Sequence, residues 1–254
     1  MLSMSTEQFE KNSDSRKTAY FSSFAMKHLY PFRGFFGEGG ILGRGEGNRE
    51  WRNISEHCLV ASVVADILAE HLGADRKVAD AALLHDTGKR REVESKAAEG
   101  TDYWTETERD KQGMRRLLLE TMKLDEDEAG KLVALSHANF PDRRWIEKNS
   151  DGSLAASPER TLEEKIIHLV DEIVAGTDIV PFRERIGTQA KKERGRAFYD
   201  SFRSHFGGVP LDEVHMALCE ADEREFEKRL GIQEETLIDF LKKELQKRID
   251  AHSA

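Results

Sequence analysis

The sequence has few cysteines and few prolines for its length. Its 254 residues include two cysteines, Cys58 and Cys219, and five prolines. The cysteines are far apart and match neither a CxxC metal pair nor a disulfide framework, so both are interpreted as reduced core residues. Few prolines, with 38% hydrophobic and 34% charged residues, are typical of a helical globular protein rather than a turn-rich β-sandwich.

Long apolar runs are also missing from the sequence. No stretch approaches the roughly 18 apolar residues that a membrane-spanning helix needs. The polar N-terminal residues 1–17 lack the apolar segment of a signal peptide. We therefore expect a cytoplasmic protein that does not associate with a membrane.

Basic residues are outnumbered by acidic ones. Asp and Glu number 48 against 39 Lys and Arg, which gives a formal net charge of −9. Such a surface repels a nucleic-acid backbone, so no nucleic-acid polymer is expected as a partner. An anionic substrate would need a local basic pocket. The densest basic run consists of Lys191, Lys192, Arg194 and Arg196. We interpret it as a solvated helix face rather than as such a pocket.

Glycine is concentrated in residues 34–47 (GFFGEGGILGRGEG), which contain seven glycines. The segment lacks the GK[ST] ending of a P-loop, which excludes nucleotide binding of that type. We interpret it as a surface loop or a lid.

Helical signals dominate the rest of the chain. Four pairs match the capping box that opens a helix, namely Asn53–Glu56, Thr105–Glu108, Asp125–Glu128 and Thr161–Glu164. Apolar residues recur at helical spacing in three segments: Val60, Val64, Ile67 and Leu68; Ile166, Ile167, Val170, Ile173 and Val174; and Leu237, Leu241, Leu245 and Ile249. No alternating β-branched run indicates a strand. The predicted fold class is all-α.

The predicted organisation has four parts. Residues 1–20 form a flexible tail, 21–50 an N-terminal helix and the glycine-rich loop, 51–180 the core domain, and 181–254 C-terminal helices that pack on the core. The apolar stripe of the last helix is expected to dock on the core, and a homodimer through that stripe is the alternative.

The segment AALLHDTGK, residues 81–89, places His85 and Asp86 after an apolar helical run and just before Gly88. Adjacent side chains on a helix diverge by about 100°, so this pair meets one ion most easily at a helix end. An HD dipeptide alone is as readily a cap or a surface pair. Its meaning therefore depends on further ligand-type residues.

His57 and Asp171 supply such residues. His57 lies near the start of a predicted apolar helix, and Asp171 lies within IIHLVDEIV, where an unpaired carboxylate is costly to bury. With His85 and Asp86 they make a mixed nitrogen and oxygen ligand set suited to Mn, Fe, Co, Ni or Zn, with Mg as a further option. The residues predict one divalent metal and do not decide whether a second ion also binds.

These residues resemble the HD superfamily of metal-dependent phosphohydrolases, whose signature is H…HD…D on a helical bundle. The order His57, LLHDTGK, then Asp171 within EKIIHLVDEI fits that signature and covers roughly residues 50–180. The resemblance implies an HD-domain bundle over residues 51–180. It also implies that His57, His85, Asp86 and Asp171 are the metal ligands.

Residues 52–57 (RNISEH) resemble the 5′-deoxynucleotidase branch of that superfamily, in which an upstream arginine and tryptophan hold the nucleotide. Arg52 and Trp51 are the nearest matches and are implied to bind substrate. That branch has an acidic residue shortly after its HD pair, whereas Gly88 and Lys89 follow here. The implied substrate is a small anionic phosphomonoester, with a nucleotide as the narrower hypothesis.

Three further residues are candidates for the site. Lys89 is either a phosphate-binding and catalytic cation or a charge that complements the helix dipole. His137, near a predicted helix end, is a second-metal ligand, a proton donor to the leaving group, or structural. His168 shares a helix face with Asp171, and core packing is favoured for it. No nearby partner and no role are predicted for His28, His205, His215 and His252.

The favoured function is hydrolysis of a phosphomonoester by metal-activated water, because no Cys, Ser or His is placed as a nucleophile. Asp86 would be both ligand and proton acceptor. One alternative is a di-iron oxygenase, since some HD relatives carry an H…HD…H…H…D pattern that His137 and His168 would complete. Another is a non-catalytic module in which the metal staples the bundle and the glycine-rich loop binds a ligand.

Overall fold

The computed structural model describes residues 49–86, 103–232 and 235–252, together with Lys17, Tyr20, Phe21 and Ser23. Some helical side chains, including those of residues 49–56 and 103–107, are not part of the description. The Gly34–Gly47 segment, nearly all of the predicted tail, Gly88 and Lys89 lie outside the described residues. The predictions made for them stay predictions.

Nine α-helices make up most of the described chain. They are α1 (Arg49–Leu72), α2 (Lys77–Leu84), α3 (Tyr103–Met122), α4 (Glu126–Ser136), α5 (Leu162–Ile173), α6 (Phe182–Ala190), α7 (Glu193–Ser201), α8 (Leu211–Leu230) and α9 (Leu237–His252). Two short 3-10 helices, His137–Asn139 and Arg143–Trp145, follow α4. The all-α prediction is confirmed.

Two small antiparallel strand pairs interrupt the helices. β1 (Ile146–Lys148) pairs with β2 (Leu154–Ala156), and β3 (Val174–Ala175) pairs with β4 (Asp178–Ile179). Each strand has two or three residues, too few to show the alternation by which a strand is recognised in a sequence.

Two of the four predicted helix caps are confirmed. The Asp125 side chain accepts a hydrogen bond from the backbone N–H of Glu128 at 2.8 Å, and Thr161 with Glu164 forms a complete capping box at α5. The caps at Asn53 and Thr105 are wrong, because α1 begins at Arg49 and α3 at Tyr103. Once a helix has formed, adding one more residue costs little free energy. A helix can therefore extend past a predicted cap residue when no glycine or proline directly precedes that residue.

The core lies between α1 and the helices around it. α1 packs against α2, α5 and α9, and α8 covers α5 and α6. All three predicted apolar stripes are buried, and the α9 stripe docks on the same core as the others. Both cysteines are buried free thiols, as predicted. No helix among the described residues has the length and apolar character needed to cross a bilayer.

Candidate metal centre

Three helices bring the predicted ligand residues together. His57 projects from α1, and Asp171 from α5. α2 ends at Leu84, and His85 and Asp86 occupy the turn that follows, so the predicted helix-end position of this pair is confirmed. The placement of His57 near a helix start is wrong, because α1 begins eight residues earlier, at Arg49.

The donor atoms of these residues converge. Nε2 of His57 lies 3.1 Å from Nε2 of His85 and 3.2 Å from Oδ1 of Asp171. Nε2 of His85 is 3.4 Å from the same Asp171 oxygen. Oδ2 of Asp86 lies 3.7 Å from Nε2 of His85 and 4.0 Å from Nε2 of His57. The donors of His57, His85 and Asp171 thus lie within 4.8 Å of one another, and the Asp86 carboxylate lies beside the two imidazoles.

These separations suit ligands of a single ion. Donors about 2.1 Å from a metal lie about 3.0 Å apart at right angles and about 3.4 Å apart in a tetrahedron. His57, His85 and Asp171 meet these values, and Asp86 lies slightly farther out. Cys58, beside His57, also offers its sulfur within 4.8 Å of the His85 and Asp86 donors. No pattern in the sequence indicates that Cys58 belongs to this cluster, and the sequence predicts it only as a core residue.

The two histidines are prepared as neutral ligands. Nδ1 of His85 lies 2.5 Å from the Ala82 carbonyl oxygen, and its N–H donates to that oxygen, which leaves a lone pair on Nε2. Burial lowers the pKa of His57, although its hydrogen bond with Asp171 works in the opposite direction. Neutral imidazole is the form that binds a metal.

Two residues outside the motif hold Asp171. Arg185 on α6 donates from Nη2 to Oδ1 at 3.1 Å, and its Nη1 donates to the Val174 carbonyl. Asn139, in the 3-10 helix after α4, donates from Nδ2 to Oδ2 at 3.1 Å. Burial would raise the pKa of Asp171, but nearby His85 and Arg185 outweigh it and hold the pKa well below its ordinary value. Asp171 is therefore a carboxylate with both oxygens oriented.

His137 caps the C-terminus of α4 and begins the 3-10 helix from which Asn139 contacts Asp171. Its Nδ1 lies 2.9 Å from the Val133 carbonyl oxygen, so the N–H is on Nδ1 and Nε2 carries the lone pair. Burial lowers the pKa of His137, which favours a proton acceptor over the proton donor considered from the sequence. The described residues that group closely enough for one ion do not include His137.

A cleft opens from the centre. It has a volume of about 420 Å³ and is lined by His57 and Asp86 at the centre, by residues 174–176, and by side chains of α6. Of the predicted basic run, Lys192 lines this cleft, whereas Arg196 pairs with Asp212 at 3.0 Å. Lys191 is exposed outside the cleft lining. The volume lies within the range of small-molecule sites.

Three predicted site residues have no described side chain. Trp51 and Arg52 lie in the first turn of α1, with side chains outside the description, and Lys89 lies outside it altogether. The helix cap predicted at Asn53 would put Arg52 just ahead of the helix. That placement is wrong because α1 begins at Arg49.

A buried polar cluster lies between α5 and α8. His168 stacks on His215 with the rings 7° from parallel, and its Nε2 lies 3.1 Å from Nδ1 of His215. Nδ1 of His215 also lies 3.1 Å from Oε1 of Glu172. His168 is fully buried, as favoured from the sequence. His215 was assigned no partner, which is wrong, because α8 brings it to α5 across 47 residues of sequence.

The model of the HD-domain family matches residues 54–176. Residues 54–176 belong to that family. Proteins with this domain are generally metal-dependent phosphohydrolases, and HD domains bind divalent metals. The matched residues include His57, His85, Asp86 and Asp171, while Arg185 and the α6 wall of the cleft lie beyond them. Comparison with curated proteins and with solved structures gave no match.

Proposed function

We propose that this protein hydrolyses a small phosphomonoester with one divalent metal held by His57, His85, Asp86 and Asp171. The observation that supports the proposal is the convergence of the His57, His85 and Asp171 donors, with Asp86 beside them, at a cleft that His57 and Asp86 line. A nucleotide monophosphate is the narrower candidate for the substrate. The proposal includes action in the cytoplasm, without a nucleic-acid polymer or a membrane as partner.

The ligand set supports an open metal site. Two neutral imidazoles and two carboxylates suit Mn, Co, Fe, Ni or Zn, with Mg as a weaker fit, because imidazole nitrogen is a poor ligand for Mg. When bound, such a metal lowers the pKa of a coordinated water toward about 7. His57 and Asp86 line the cleft, so this side of the centre is accessible to substrate and water.

The residues around the ligands have distinct tasks. Arg185 and Asn139 fix the two oxygens of Asp171. Asp86, slightly farther from the other donors, would be both a ligand and the acceptor of a proton from the attacking water. The hydrogen bond from Nδ1 of His137 to the Val133 carbonyl leaves its Nε2 unprotonated, so His137 is a second candidate proton acceptor.

The di-iron alternative requires His137 and His168 as additional ligands. Nε2 of His168 faces His215, and its Nδ1 lies 3.8 Å from Oδ2 of Asp222. Both ring nitrogens of His168 therefore face residues of α8. This observation favours hydrolysis at one metal over the oxygenase.

The test is phosphate release from a panel of nucleotides and other phosphomonoesters. Metal-stripped protein is reloaded separately with Mn²⁺, Co²⁺, Fe²⁺, Ni²⁺, Zn²⁺ or Mg²⁺. We expect turnover that depends on the metal and is lost in Asp86→Asn, which keeps the side-chain shape and removes the charge. Asp127→Asn, an exposed residue of α4, is the matched control and should keep wild-type activity.

Loss of activity in both variants would indicate a folding defect, and equal activity in both would remove Asp86 from the reaction. Tight metal binding with no hydrolysis across the whole panel would favour the non-catalytic module.

A further inference from the structure

One wall of the cleft is a polar stripe on α6 and the turn after it. The stripe consists of Arg185, Thr188, Gln189 and Lys192, all of which line the cleft. Offsets of three, four and seven residues from Arg185 place side chains on one face of a helix. The stripe begins at the metal centre, where Arg185 contacts Asp171, and ends at Lys192.

The helix sets the spacing of the stripe. With a rise of 1.5 Å per residue, Gln189 lies about 6 Å from Arg185 along the axis of α6. Lys192 is two residues past the end of α6, but Lys191 keeps helical backbone angles, so the α carbon of Lys192 lies about 10 Å from that of Arg185 along the same direction. A ligand with its phosphate at the metal centre and a second charged group about 10 Å from its phosphorus would therefore extend along the stripe toward Lys192.

Gln189 is oriented by a buried neighbour. The hydroxyl of Tyr199, on α7, donates to Oε1 of Gln189 at 2.9 Å. Burial raises the pKa of Tyr199, so the hydroxyl stays protonated as a donor. With Oε1 occupied, the two N–H groups of the Gln189 amide are the ones available to a ligand in the cleft.

The charges along the stripe differ between its ends. Arg185 is occupied by Asp171 and the Val174 carbonyl. Glu184, which also lines the cleft, adds a negative charge next to Arg185. Lys192 lies at the other end, and no described residue forms an ion pair with it. The far end of the cleft therefore offers a cation for an anionic ligand group.

We propose that the α6 wall selects phosphomonoesters with a second anionic group, a carboxylate or another phosphate, about 10 Å from the scissile phosphate. Lys192 binds that second group, and Gln189 and Thr188 donate hydrogen bonds to the part of the substrate between the two charges. This proposal rests on the proposed phosphohydrolase function and narrows its substrate class.

Two non-hydrolysable probes test this assignment. The phosphonate 8-phosphonooctanoate spans about 10 Å between its charged ends, and its carboxylate methyl ester has the same length without the second charge. Binding of each to Mn²⁺-loaded protein is measured by calorimetry. We expect wild type to prefer the free acid by about twofold to fivefold, as for a solvent-exposed ion pair. Lys192→Ala should abolish that preference and leave ester binding unchanged, and Lys191→Ala, the adjacent control, should retain it.

A preference that survives Lys192→Ala, no preference in wild type, or failure of both probes to bind overturns the proposal. Hydrolysis of octyl phosphate, measured in parallel, separates it from the proposed function. Phosphonate binding that depends on Lys192, without hydrolysis of octyl phosphate or the wider ester panel, would support Lys192 as a binding residue and contradict the proposed phosphohydrolase function. Hydrolysis without the Lys192 dependence would support the proposed phosphohydrolase function and contradict the proposed role of Lys192 in substrate selection.

Discussion

Arg185 and Asp171 form a partly buried ion pair at the metal centre, with Nη2 of the guanidinium 3.1 Å from Oδ1 of the carboxylate. The same oxygen faces His57 and His85. Arg185 thus contacts a predicted metal ligand without being one. A residue that orients a ligand in this way commonly affects metal affinity or activity nearly as much as the ligand does.

We expect Arg185→Ala to lower metal affinity or activity by about 10-fold to 100-fold. Arg185→Lys should recover only part of the loss, because one ammonium lacks the planar fork that bonds both Asp171 and the Val174 carbonyl. Metal titration and steady-state kinetics measure both effects. Arg183→Ala, on the same helix but exposed and paired with Glu220, is the control. Equal behaviour of the Arg183 and Arg185 variants would rule out the positioning role.

The four candidate ligands could be identified in the sequence because each lies in a recognisable segment. His57 precedes an apolar helical stripe, His85 and Asp86 end one, and Asp171 is a carboxylate inside another. Local patterns of apolar spacing also predicted the buried faces of α1, α5 and α9. These features depend on residues within a few turns of each other, which is what periodicity reports.

Arg185 and Asn139 could not be predicted in the same way. Asn139 lies 32 residues before Asp171 and Arg185 lies 14 after it. Their contacts depend on how the α4 end and α6 pack beside α5, and no local spacing records that packing. The starts of α1 and α3 were missed for a related reason, since a cap signal competes with continued helix growth.

His137 distinguishes a one-metal site from a two-metal site. We expect His137→Ala to leave about one metal per chain and to lower kcat by at most 10²- to 10⁴-fold, the range for loss of a general acid or base. Elemental analysis of wild type and variant, with kinetics on the best substrate, measures both. Two metals in wild type falling to one in the variant would contradict a mononuclear centre, since losing a ligand releases an ion from a partly open site.

The ion pair between Arg160 and Asp222 should be important for stability. Both side chains are buried, and Nη1 of Arg160 donates to Oδ2 of Asp222 at 2.9 Å. Asp222→Ala leaves a buried guanidinium without its partner, so we expect a loss of about 3–5 kcal/mol in the free energy of unfolding. Urea denaturation measures it.

Two controls accompany this prediction. Asp127→Ala breaks the exposed pair with Lys131 and should leave the urea midpoint almost unchanged. The double variant Arg160→Met, Asp222→Leu removes both charges and should be more stable than Asp222→Ala alone. A single variant as stable as wild type would show that the Arg160 charge is compensated elsewhere.

The stability of the metal-free protein should fall in mild acid. Burial lowers the pKa of His215 well below its ordinary value, and its neighbour His168 adds to that effect. Below about pH 6.5 the unfolded chain therefore binds a proton at His215 that the folded protein does not. The free energy of unfolding should decrease as the pH falls through this range, by up to about 1.4 kcal/mol per pH unit for each such proton.

His215→Gln should reduce that slope between pH 6.5 and 5.5, whatever its effect on stability at pH 7.5. Urea denaturation at several pH values, on wild type and variant without metal, gives the two slopes. Identical slopes would mean that His215 does not contribute to the acid sensitivity.

The most direct test of the metal centre is the metal content of His85→Ala measured together with its phosphate release. His85 is at a helix end, so helical content by circular dichroism should be close to that of wild type. The account predicts that metal occupancy and metal-dependent phosphate release disappear together in this folded variant. A folded His85→Ala protein that keeps full metal occupancy and full turnover would contradict it.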